Sequence, residues 1–81
     1  MNNFKPYANE RDVLQVGNLN IENRLDRISF HGDVDLTRDQ LGLLAARELK
    51  TLIDNIVHEL EAEKLPEKLP PPIIKTVINP F

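Results

Sequence analysis

Apolar and polar residues alternate between Val13 and Leu36, whereas from Leu41 to Leu60 apolar residues recur every three or four positions. The first period is that of a strand with one buried face, and the second is that of an amphipathic helix. "VLQV" and "LNIE" flank Gly17-Asn18, a pair suited to a two-residue hairpin turn. Directly opposed residues share a face, so this turn sets Val16 against Leu19 and Leu14 against Ile21. A second turn at 23–26 sets Ile21 against Ile28, Leu19 against Phe30, and Glu22 against Arg27 as a charge pair. Both turns put Leu14, Val16, Leu19, Ile21, Ile28 and Phe30 on one face.

For residues 28–36 the pattern allows a hairpin at Gly32-Asp33 or one continuous strand. The hairpin would oppose Phe30 to Asp35 and Ser29 to Leu36, so the apolar face favours a continuous strand with Gly32 as a bulge. The predicted sheet thus has three antiparallel strands, at about 13–16, 19–22 and 27–36.

"TRDQ" at 37–40 fits a capping box, with Thr37 as cap and Gln40 reaching back. The helix it opens runs over about 38–63 and stops before Pro66, with Gly42 a flaw near its start. At 1.5 Å per residue it is on the order of 37 Å long, against roughly 26 Å for a domain of this size. Its stripe should outrun the sheet at the distal end, and a second copy is the economical cover for Leu49, Leu52, Ile53, Ile56, Val57 and Leu60. The fold class is α+β, oligomerising through the helix. Residues 1–11 lack a period and read as a flexible arm before the domain at 12–65. A proline-rich spacer at 66–72 then leads to an extended apolar tail at 73–81.

The chain has 81 residues, a single domain whose own core is marginal. It has no cysteine, which excludes disulfides, thiolate metal sites and Cys nucleophiles and leaves oligomerisation as the source of further burial. A net charge of −3 gives no global footprint for nucleic acid. The β-ribbon DNA readers also differ, having paired helices and a basic presenting face. A DNA-binding transcriptional or prophage regulator is therefore the second reading. The amino-terminal residues show no basic flank followed by an apolar run, and no segment reaches the roughly 20 apolar residues of a membrane span. The expectation is a cytoplasmic protein that does not enter membranes.

His31, Asp33 and Asp35 alternate on the face opposite the core and are weak candidates for a metal or acid–base site; without further His or Cys ligands, a solvated sheet face is the preferred explanation. No phosphate loop, GxSxG or HExxH pattern occurs, so neither catalysis nor a cofactor is expected. His58 lies four residues after Asp54 and suits it as an exposed partner. Asp54, Glu59, Glu61 and Glu63 form an acidic patch at the negative pole of the helix, where a basic partner or Arg11, Arg24 and Arg27 of a second copy could meet it. In the tail, Ile73, Ile74, Val77, Ile78, Pro80 and Phe81 can clasp a sheet edge in the oligomer or engage another protein.

The stretch from Ile21 to Glu61 carries the pattern ENRxDR, GxxDLTRD, GL and LKxLxD. In this it resembles a family of short uncharacterised proteobacterial proteins, which implies a bacterial origin and carries over no functional residues. The Pro80-Phe81 end is similar to the Pro-Phe terminus with which bacterial single-stranded-DNA-binding proteins recruit repair enzymes. Lys75 stands where those termini are acidic. Together these readings lead to a small non-enzymatic oligomeric adaptor or regulator that acts through protein–protein contacts.

Overall fold

In a computed structural model, which describes residues 4–69, three strands form one antiparallel sheet and a single helix follows. The strands are β1 (Val13–Val16), β2 (Asn18–Asn23) and β3 (Ile28–Asp33), in the order β1-β2-β3, and the helix is α1 (Gln40–Glu61). The first hairpin has the register that the alternation dictates: Val16 opposes Leu19 and Leu14 opposes Ile21. Gly17, at φ 60°, supplies the positive dihedral of its turn.

The second hairpin departs from the expected register by two residues. Ile21 opposes Phe30, Glu22 opposes Ser29 and Asn23 opposes Ile28. The turn closes between the Arg24 amide and the Arg27 carbonyl at 3.0 Å, so Asn23 remains in the strand. A two-residue slip preserves face parity, and the apolar set stays on one side. The expected Glu22–Arg27 pair is lost. Glu22 instead accepts from Arg24 at 3.0 Å, and Arg27 holds Asp26 through two bonds of 3.1 Å.

β3 ends at Asp33, before the anticipated limit at 36, and the chain does not turn back as a hairpin. Gly32 lies opposite Leu19 at φ 101°, and a Cβ there would strike the Asn18 carbonyl. Pairing nevertheless runs one residue further, Asp33 opposite Asn18, and stops where β2 itself begins after the Gly17 turn. Val34, just past the strand, still packs on the core.

α1 begins later than the capping-box reading placed it. Asp39 is the cap: its carboxylate accepts from the Gly42 amide at 2.9 Å and from the Thr37 hydroxyl at 2.6 Å. Thr37 therefore orients the cap instead of being it. Gly42 is no flaw, because a Cβ at this buried position would run into the Thr37 carbonyl oxygen.

The core consists of Phe4, Leu14, Val16, Ile21, Leu52 and Ile56, with Leu19, Ile28, Ala45, Leu49 and Leu60 packed around it. Phe4 belongs to the segment expected to be a loose arm, and residues 4–12 are instead built into the fold. Their anchor is Asn23, fully buried on the inner sheet face. Its side-chain amide donates to the Lys5 carbonyl at 2.8 Å, and its oxygen accepts the Tyr7 amide at 2.7 Å. Tyr7 sits at φ 66°, a left-handed conformation that this clamp maintains. Asn9 then caps the approach to β1, accepting from the amides of Arg11 and Asp12 at 3.0 and 2.9 Å. Isolated aromatic residues in an aperiodic polar stretch give no period to read, which is why this packing is invisible in the pattern.

Candidate protein-interaction surface

Leu52 and Ile56 were expected to await a second copy, yet both are buried within the chain's own core, at 1% and 9% exposure. Phe4 of the amino-terminal segment belongs to the same buried cluster as Leu52 and Ile56, so the chain itself covers this part of the stripe. Ile53 and Val57 lie on the flank of α1 and remain open, at 43% and 44%. Leu49 and Leu60 are half-buried against the core. It is the proximal end of the helix that overruns the sheet. Leu41, Leu43 and Leu44 are all exposed, Leu41 at 75%. With Gln40 and Arg47 they line a shallow open recess of about 270 Å³.

The sheet leaves a second apolar opening. α1 packs against β1, an edge strand, while β3 lies two strands away. At 4.7–4.9 Å per strand, that puts β3 about 10 Å beyond the helix contact. Phe30 therefore points to the core face by register but is 42% exposed. β1 and β3 are both edges of the sheet.

The charged residues are distributed differently from the expectation. Asp54 pairs with Lys50 at 2.8 Å, one turn toward the amino terminus, and not with His58. Arg11, Arg24 and Arg27, considered as cations for a neighbouring copy, each have a carboxylate partner nearby: Asp12 at 3.8 Å, Glu22 at 3.0 Å and Asp26 at 3.1 Å. The bidentate bond from Arg27 holds the Asp26 carboxyl below its ordinary range even though the pair is exposed. Asp39 is likewise lowered, first by the Thr37 hydroxyl and then by the Gly42 amide. Arg38 and Arg47 have no ion-pair partner among the described residues, nor do Glu59, Glu61 and Glu63 of the acidic patch.

His31 lies on the outer sheet face with Nε2 3.8 Å from Glu22 Oε1, the oxygen that Arg24 also holds. Asp33 closes β3 and Asp35 lies beyond it, so the three candidates do not share one strand. Among the described residues, no group of three His, Cys, Asp or Glu side chains is gathered so that it could hold a metal ion. The spacer from Pro70 onward and the tail residues Ile73, Ile74, Val77, Ile78, Pro80 and Phe81 lie outside the described residues. No helix among the described residues is long and apolar enough to cross a membrane. No protein-family model, curated protein or solved structure matches the chain.

Proposed function

We propose that this chain is a small, non-enzymatic, oligomeric adaptor or regulatory protein of the cytoplasm that works through protein–protein contacts. One observation carries the reading: among the described residues, eleven large apolar side chains are exposed and six apolar residues form the buried core. Single exposed apolar residues are ordinary, but contiguous ones mark contact surfaces. Here Leu41, Leu43 and Leu44 line one recess at the start of α1, and Leu43 shares a side of the helix with Ile53 and Val57. A chain of this size gains from burying such a surface in an assembly. The apolar composition of residues 73–81 suits the same role, as a clasp within the oligomer.

Sedimentation of the full chain, paired with a gel-shift assay on DNA, tests this reading. Self-association without a DNA shift supports it. A monomer that shifts DNA at low salt and loses it steeply as salt rises would replace it with a nucleic-acid regulator.

A further inference from the structure

Resting on the self-association reading, we propose that α1 docks against α1 of a second copy running antiparallel, along the line Leu43, Ala46, Lys50, Ile53 and Val57. These positions are spaced three, four, three and four residues apart, the repeat of a helix–helix seam. At 3.6 residues per turn, the seam lies roughly 110° around the helix from the Leu52–Ile56 line that packs on the sheet, so both contacts can coexist. Leu43, Ile53 and Val57 are exposed to nearly the same degree, at 45%, 43% and 44%, with half-buried Ala46 and exposed Lys50 between them along four turns. Lys50, at its centre, extends its ammonium to Asp54 at 2.8 Å and leaves its alkyl stem on the seam.

The charges select the occupant and its direction. Glu59, Glu61 and Glu63 gather at the carboxyl end of α1 with Lys64 just beyond, while Arg38, just before α1, and Arg47, in its first half beside Glu48, have no ion-pair partner among the described residues; Asp39, next to Arg38, has its carboxylate taken up by Thr37 and Gly42. Parallel copies would stack two acidic ends at the negative poles of two helices. Antiparallel copies place each acidic end beside the positive pole and Arg38 of the other. The register that opposes Leu43 to Leu60, Ala46 to Val57 and Lys50 to Ile53 uses every seam position and adds Leu60, the next position of the same repeat, which is half-buried against the core. It also brings Arg47 and Lys50 of each copy beside Asp54 of the other, where charge pairs flanking an apolar seam set partner orientation.

Charge reversal in the full chain tests this arrangement. Arg47→Glu and Asp54→Arg should each raise the dimer dissociation constant about tenfold in sedimentation equilibrium, and the double variant should recover most of the loss. Both positions are exposed, so thermal melts should verify that each variant remains folded. A spin label on His58→Cys then reads direction, because His58 would face residue 45 of the second copy. In the antiparallel pair the labels should be offset by roughly 20 Å along the axis, whereas in a parallel pair they share one level and are separated only by the interaxial distance of about 10 Å. A dimer whose reversals do not compensate, or whose labels report the short distance, overturns this pairing and leaves self-association standing. A wild-type chain that stays monomeric overturns both.

Discussion

The Asn23 side chain grips the backbone on both sides of Pro6, donating to Lys5 and accepting from Tyr7 at 2.7 Å, and so fastens the amino-terminal arm to the inner face of the sheet. A fully buried amide with both ends satisfied is the arrangement whose loss costs most, because truncation strands two backbone groups. Asn23→Ala should therefore destabilise the chain by about 2–3 kcal/mol. Urea unfolding measures this, and a loss within error of zero would mean that the arm is not held by Asn23.

Phe4 extends the same argument to packing. If the arm completes the core, Phe4→Ala should cost about 3 kcal/mol or more, a value typical of a buried aromatic and out of proportion for a frayed terminus. The result should also depend on Asn23: the double variant should lose less than the sum of the two, since releasing the clamp already frees the aromatic ring.

Ile53 and Ile56 lie three residues apart and should behave oppositely. Ile56→Asp buries a charge without a partner and should cost on the order of 4 kcal/mol in the isolated chain. Ile53→Asp alters an exposed site, so it should leave the monomer's melting temperature nearly unchanged while weakening self-association. Thermal melts at low concentration combined with sedimentation at high concentration separate the two effects.

Gly42 reverses the usual helix rule. Replacing a helical glycine with alanine ordinarily stabilises, by up to about 1 kcal/mol. At Gly42 the added methyl meets the Thr37 carbonyl oxygen, so Gly42→Ala should destabilise, and a rise in melting temperature would contradict the packed cap.

The same cap predicts a pH response. Asp39 has a folded-state pKa below its unfolded value, because the Thr37 hydroxyl and the Gly42 amide bond its ionised form. Its contribution is present above the unfolded pKa of about 3.9 and is lost as pH falls through the lower folded value. Asp39→Asn should flatten this acid limb of a stability–pH curve and should change little near neutrality, where asparagine also caps.

What the sequence made legible depended on whether the controlling interaction was periodic. Leu14 with Ile21 and Val16 with Leu19 followed from parity and a Gly-Asn turn, so the first hairpin could be read to the residue. The second hairpin kept its faces but not its register, because Asn23 is held by the backbone of an aperiodic segment. Thr37 and Asp39 are both good caps, and only the bond from the Gly42 amide to the Asp39 carboxylate at 2.9 Å shows which one serves. A helical stripe names its apolar residues without saying which end the sheet covers. The stripe therefore pointed to Ile56 as open, where the structure opens Leu41 and Leu44 instead. Nothing in the charge pattern separates Arg38 and Arg47 from Arg11, Arg24 and Arg27; only the ion pairs of the last three do.

The most direct measurement is sedimentation equilibrium of the full chain over a wide concentration range. A reversible shift from the 9.3 kDa chain toward twice that mass is expected, abolished by Ile53→Asp together with Leu43→Asp. A single 9.3 kDa species at every concentration would contradict it.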